Sequence, residues 1–345
     1  MKKTNKVYIN SVKQISTQQP LTDEWFDNSI TYNEQYVRAI DAEYKKYFTP
    51  NEARRLGKIL KRALLASREA MKESGITNPD AIITGTGLGC IENTEIFLEK
   101  LVYEGEELLN PTHFMQSTHN TISSLIAIDT KSHGYNSTYA HKGISFECAL
   151  QDAFLQMQSG KIQTALVGAY DEITPAYFTL LKKAGFFGKP NQIFAGEASV
   201  AMMLSSLKKE NTLCEIEAVE KTYSGACHCG LDPQSPDILN FQTQFTNIDF
   251  VMVGTNGVEE NDKIYFDNCA KLFPGIPLLQ YKNIFGESYS ASALGVYAAA
   301  ICLMKGEISK HLFPGKVNIS SSPQKILCYN HSEGKNHTFT LLSST

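Results

Sequence analysis

Four residues, Ala140, His141, Lys142 and Gly143, stand directly ahead of a helix that the apolar spacing opens near Ser145. A cysteine at a helix start is a ready nucleophile, because the partial positive charge there favours the thiolate. None of the four is a cysteine. Cys148 lies about a turn inside the helix, too deep to feel the terminus fully, and reads as a small buried residue; acyl transfer on its thiol is the alternative. Two polar positions further on invite the same scrutiny. Asn256 follows the strand-like run Ile248 to Gly254, and Glu287 closes Lys282-Asn283-Ile284-Phe285-Gly286-Glu287. An asparagine amide can donate to a developing oxyanion; a glutamate can do so only as a neutral acid, which requires strong burial. Lys282 reads as a lysine that positions its loop rather than as a catalyst.

Other constellations carry less. Cys227-His228-Cys229 has metal-ligand residue types, but its cysteines are closer than the usual structural zinc pair and a loop is the expectation. Gly85, Gly87 and Gly89 follow a strand without GxGxxG spacing and without a following acidic partner, which argues against a dinucleotide site. His113, His119 and His133 precede the Ser145 helix with no nucleophile beside them and read as polar or interface residues.

The elements that must position these residues alternate between strand and helix. Val7 to Val12 alternates as a strand, Asn51 to Glu73 carries a helical stripe interrupted by Ser67, and Ala81 to Thr84 is a buried strand. The helix from Ser145 to Ser159 leads into strands at Thr164–Ala169 and Ala198–Leu204. A second opening strand at Cys214–Val219 then begins a similar series: the strand at Ile248, a helix over Asn261–Leu272, the strand Ile276–Leu279, an apolar helix near Ala291–Met304, and closing strands at Lys325–Tyr329 and Thr338–Leu342. This predicts an α/β protein of two similar halves, residues 1–207 and 208–345, joined at the polar stretch Ser205–Thr212 and packed as one body.

With 345 residues, 42% hydrophobic, 20% charged and a net charge of -4, the chain has the composition of a soluble globular protein and no electrostatic reason to bind nucleic acid or an anionic membrane. The apolar run at Ala291 is shorter than the ~20 residues of a membrane span. The basic start precedes no apolar signal region, and eight cysteines lack framework spacing, so a reduced, cytoplasmic setting is expected.

Taken in order, the segments resemble β-ketoacyl-acyl-carrier-protein synthases. Ile82 to Gly89 is similar to their early glycine turn, Pro111 to Ser117 with His119-Asn120 to the stretch before an interface helix, Gly168 to Glu172 to the strand end after the nucleophile helix, and Gly196 to Val200 to their GEG segment. Asn256-Gly257 with Asn261-Asp262 stands where the family has HGT and ND, and Lys282 to Glu287 where it has KS-x-x-GH. The resemblance implies a thiolase-like fold, two βαβαβ-type halves in a layered αβαβα body, and a dimer joined through sheet edges. It also implies that the nucleophile has gone from Ala140–Gly143 and that the two catalytic histidines have become Asn256 and Glu287. Removing the nucleophile from a multistep site costs on the order of a millionfold, so the site should be silent. The family's aromatic gate, expected near Asn330–Gly334, is missing.

Such chains resemble chain-length factors, in particular those of polyene pathways. The implied function is a silent subunit paired with an active β-ketoacyl synthase and served by an acyl carrier protein, with no cofactor and no metal. Phe114, Met115, Gln116, His119 and Asn120 are the interface and tunnel candidates, within Pro111–Ile128. Two alternatives stand beside it: a remodelled acyltransferase or thioester hydrolase using Cys148, His141 or Glu287, and a homodimeric acyl-binding scaffold.

Overall fold

The computed structural model describes residues 5–107, 109–224, 231, 245–315 and 322–345. The Cys227-His228-Cys229 segment lies outside them. Ten strands form one continuous mixed sheet. Its first five are β1 (Val7–Ile15), β2 (Ala81–Gly85), β3 (Tyr135–Tyr139), β4 (Thr164–Asp171) and β5 (Ala198–Ser205). The second five are β6 (Cys214–Tyr223), β7 (Phe250–Val253), β8 (Leu278–Gln280), β9 (Lys325–Ser332) and β10 (Asn336–Ser343).

The order across the sheet is β8-β7-β9-β10-β6-β1-β5-β4-β2-β3. Each half is therefore the same pattern: first strand, fifth, fourth, second, third. The directions match as well. In each half the second strand lies parallel to its third and fourth, while the fifth runs antiparallel to the fourth and the first. The αβαβα layering implies two sheet layers, and β1 and β6, paired antiparallel over Val7–Ile9 and Cys214–Ile216, make them continuous at that edge.

Helices complete five layers. Between the two halves of the sheet lie α6 (Ser145–Gln158) and α10 (Ala291–Lys305), with Ala291 to Leu303 buried on every side. This run is short and apolar because it is core, and no helix among the described residues is long and apolar enough to cross a membrane. The outer face of the first half carries α2 (Lys58–Ser74), and that of the second carries α8 (Glu259–Leu272). Three apolar clusters correspond to the central layer and to these two outer layers. β1 is accordingly buried on both faces, not on alternate residues, since α2 covers one side and α6 and α10 the other.

The expected single helix over Asn51–Glu73 is two. α1 (Pro50–Arg55) opens with a capping box from Thr49 and Glu52, and Leu56-Gly57 then run extended before α2 begins. Ser67 in the apolar stripe is matched: its hydroxyl lies 2.9 Å from the Tyr170 hydroxyl, both buried. Such a pair removes most of the cost of interior polar groups. Buried Arg62 is likewise held by Asp41 at 2.6 Å and Glu197 at 2.8 Å.

Candidate functional site

The start of α6 is pressed onto the end of β2. A side chain on Gly85 would meet the Ser145 backbone at 2.5 Å, so only glycine lets the helix begin there. The glycine turn that follows does not wait for a phosphate. Gly87 N at 2.9 Å, Leu88 N at 2.8 Å and Thr86 Oγ1 at 2.9 Å all donate to Asp171 Oδ1, and Ser290 Oγ donates to Oδ2. Burial pushes the Asp171 carboxyl up, and these donors oppose it. The turn's amides thus serve an internal carboxylate and fasten α10 to the end of β4.

Ahead of α6, the Ser145 hydroxyl accepts from His141 N at 2.8 Å and lies 2.7 Å from Lys142 O, and Lys142 adopts a left-handed φ of 50°. This sharp turn sends only Lys142 and Gly143 into a cavity of about 200 Å³; Ala140 and His141 are exposed and do not line it. A Cβ on Gly143 would find Ser332 Oγ at 3.5 Å, an ordinary contact, so the backbone would accept a side chain there.

The same cavity receives Asn256, Lys282 and Glu287. Lys282 Nζ lies 2.8 Å from Glu287 Oε2, and Asn256 Nδ2 donates to that oxygen at 2.9 Å. Each partner is fixed from behind. Asp262 in the first turn of α8 accepts from Asn256 N and Gly257 N at 2.8 and 2.9 Å, and Asn261 Nδ2 donates to Asn256 Oδ1 at 3.1 Å. Glu287 N donates to Phe194 O at 2.8 Å, and Glu287 O accepts from Gly196 N at 2.9 Å. Glu197, beside it in the GEG-like segment, holds Ala39 N and Ile173 N at 2.9 and 3.2 Å. A substrate oxygen gaining negative charge here would meet a carboxylate, with one asparagine and one lysine already engaged by it.

Sequence reasoning missed the other wall. Tyr177 and Leu181 of α7 (Pro175–Lys183), then Phe186, Phe187 and Tyr289, give the cavity an aromatic side. Four of them come from α7 and the turn after it and the fifth from the stretch ahead of α10, and no periodic signal marked them. His331 also lines the cavity, at a position read only as part of an absent gate. It is the wrong histidine for catalysis: Nδ1 accepts from Gly334 N at 3.2 Å, Nε2 lies 3.2 Å from Asn261 O, and burial pushes the ring down to about 3. At the rim, Lys142 and Glu333 pair at 3.7 Å, both largely exposed.

Cys148 lies away from the cavity. Its sulfur accepts from Lys221 Nζ at 3.3 Å, and burial pushes the thiol up while Lys221 pulls it down. Phe114, Met115 and Gln116 are on α4 (Pro111–Gln116), and His119 and Asn120 lie just before α5 (Thr121–Thr130). None of the five lines the cavity. They sit on the surface, where Phe114 is 57% and Met115 63% exposed. α5 packs on β2 and β3, and β3 ends the sheet, paired among the described residues only with β2.

A duplicated α/β half, two helices buried between sheets, and a cavity at the start of one of them define the ketosynthase form of the thiolase fold. The chain belongs to the β-ketoacyl synthase family: the model of that family's N-terminal domain matches residues 38–249. No curated protein matches the sequence. Solved structures similar to it include the ishigamide ketosynthase/chain length factor, at 18% identity and a TM-score of 0.80 over 99% of this chain and 100% of that one. A β-ketoacyl synthase from Burkholderia phymatum has 12% identity and a TM-score of 0.77, again over 99% and 100%. A ketosynthase in complex with its chain length factor from Xenorhabdus doucetiae has 15% identity and a TM-score of 0.75, over 99% of this chain and 98% of that one.

Proposed function

We propose that this chain is the catalytically silent member of a ketosynthase pair, a chain-length-factor type of subunit that binds an active β-ketoacyl synthase and shapes the tunnel for a carrier-bound acyl or polyene chain. The observation that carries the reading is the cavity floor. Gly143 stands at the helix start, and the two positions that resemble the family's histidines are hydrogen-bonded to each other, Asn256 Nδ2 to Glu287 Oε2 at 2.9 Å. A condensing site needs a thiolate and oxyanion donors; this floor offers an amide, an ammonium and a carboxylate satisfied among themselves.

Two surface features support a partner. β3 leaves one edge unpaired, and an open edge is a template for another strand. Next to it, Leu98, Val102 and Tyr103 of α3 (Ile91–Glu104), Phe114 and Met115 of α4, and Ile128 of α5 are 49 to 85% exposed, an apolar concentration typical of an interaction surface. The similar structures of a ketosynthase/chain length factor and of a ketosynthase with its chain length factor agree with that assignment.

The test is co-expression with a ketosynthase that retains its Cys-His-His set, together with an acyl carrier protein. The expected result is a one-to-one complex that elongates malonyl-carrier units, and no turnover by this chain alone. Elongation by the isolated chain would overturn the reading. An acyl group found on Cys148 would favour a remodelled acyltransferase instead, and a stable homodimer that ignores the ketosynthase would favour a scaffold.

A further inference from the structure

Behind the cavity floor, α6 carries a glutamate that the proposed function does not use. Glu147 is 3% exposed. Its Oε1 accepts from Asn330 Nδ2 at 2.7 Å and from Thr338 Oγ1 at 3.1 Å, while its Oε2 is buried with no partner among the described residues. Two more buried polar atoms share that condition, Tyr281 Oη and Ser292 Oγ. Ser292 lies near enough to favour the Glu147 anion, yet outside hydrogen-bond geometry.

All three belong to residues lining one small cavity between α6, α10 and the β9–β10 hairpin. Its accessible volume is about 10 Å³, the size that one water centre occupies, ~10–15 Å³. Three unsatisfied polar groups around one such volume match what an interior water needs, since these waters typically make about three hydrogen bonds.

We propose that this cavity is a binding site for one water molecule, held by Glu147, Tyr281 and Ser292, and that Glu147 faces it as a neutral carboxylic acid. The proton belongs on Oε2 because both donors sit on Oε1, and an O–H there has the water to donate to. The titratable side chains around the carboxyl are Cys148 of α6, Tyr265 of α8, Tyr281, and Cys328 of β9, and none of these supplies a positive charge. No lysine figures among the groups that act on Glu147, and Lys282 and Lys221 are engaged elsewhere, with Glu287 and Cys148. A buried carboxylate with no cation neutralises itself by taking up a proton, and burial is the leading cause of the upward shift of this group.

The occupant is water rather than a monovalent metal ion, because three oxygens are too few to replace such an ion's hydration shell. Ser292 and Asn330 line both this site and the larger cavity, which places the water site next to the floor that Asn256 and Glu287 form. The inference does not depend on the silent-subunit reading.

Infrared difference spectra of the full chain against Glu147→Gln test it. A protonated-carboxyl C=O band that persists at pH 8, shifts in D₂O and is missing from E147Q is expected. Thermal unfolding gives the second readout. The folded acid keeps its proton above the unfolded carboxyl value of ~4.3, so the wild type should lose stability relative to E147Q as pH rises from 4 to 8. A crystal structure at high resolution should show one ordered water within hydrogen-bond reach of all three side chains. No such band, with a Tm that rises in potassium and not in tetramethylammonium, would overturn the proposal in favour of an ionised, cation-binding glutamate. A dry cavity would overturn the water site.

Discussion

Asn256 and Glu287, 31 residues apart in the chain, join side chains at 2.9 Å, and the Lys282 ammonium closes on the same carboxylate oxygen at 2.8 Å. The arrangement makes the cavity floor a self-contained polar knot. It is asymmetric: the Lys282 side chain is 8% exposed and that of Glu287 20%. Removing the carboxylate therefore strands the more buried charge. Glu287→Gln should destabilise by about 3 kcal/mol, Lys282→Met by about half as much, and Lys282→Met/Glu287→Gln should recover most of the loss. Urea unfolding of the three variants checks the cycle.

Gly143 faces the same knot with room for a side chain. Gly143→Cys should fold and place a thiol at the start of α6, where the helix terminus favours its thiolate. Intact-mass and peptide analysis should find position 143 alkylated under native conditions, and acylated by an acyl thioester. Condensation should still fail, because each missing oxyanion donor costs roughly 10²–10³ in rate. Condensation by G143C alone would show that Asn256 and Glu287 suffice as donors.

Much of this architecture is legible in the sequence, and the exceptions have identifiable causes. Ile82–Ile83, Leu166–Val167 and Val200–Leu204 announce central strands because helices cover both faces, and the apolar stretch at Ala291 announces a helix with no exposed side. The break at Leu56-Gly57 is hidden, since a glycine inside an apolar stripe reads as tolerated when nothing shows the extended backbone. Asp171 is recognisable as a strand end but not as the acceptor of the glycine turn's amides, which requires two segments over 80 residues apart to meet. Gly143, Asn256, Lys282 and Glu287 are found because each belongs to an ordered series of motifs. Tyr177, Phe187, Tyr289 and His331 belong to no such series, and only folding brings them to the cavity. Glu147 does leave a signal: a carboxylate in the first turns of a helix whose neighbours are core.

His331 and His337 govern the acid side of stability. Burial holds them neutral down to about 3 and about 4, whereas unfolded imidazoles take a proton near ~6.5. Stability should therefore be complete above pH ~6.5 and fall as pH drops through that window, by about 2 kcal/mol per ring at pH 5. NMR titration should show both rings uncharged at pH 5, and a charged His331 at that pH would refute the buried environment assigned to it.

Glu172 works in the other direction. It is 4% exposed and accepts from Glu92 N at 3.1 Å, and burial pushes its carboxyl up to about 8. The folded chain binds a proton there that the unfolded chain releases near ~4.3, so this contribution is present at low pH and lost as pH rises to about 8. Glu172→Gln should leave Tm unchanged at pH 4 and raise it at pH 8.5; an equal effect at both would mean the carboxyl is ionised throughout.

The surface of α3, α4 and α5 separates folding from association. Phe114 contacts Phe97 at a ring separation of 5.3 Å but is 57% exposed, and Met115 is 63% exposed. Phe114→Asp and Met115→Asp should change the stability of the isolated chain by no more than about 0.5 kcal/mol, as for surface positions generally. An apolar anchor at the centre of an interface contributes about 2 kcal/mol or more, so under the proposed pairing the same variants should weaken binding to an active ketosynthase roughly thirtyfold. Sedimentation of the purified pair reads the second quantity and urea unfolding the first. Loss of binding with folding intact places the subunit contact on this face, because the substitutions add charge to the exposed side of α4 and touch nothing in the cavity. Unchanged binding moves the contact elsewhere, and the exposed apolar side chains of α3 and α4 then need another partner.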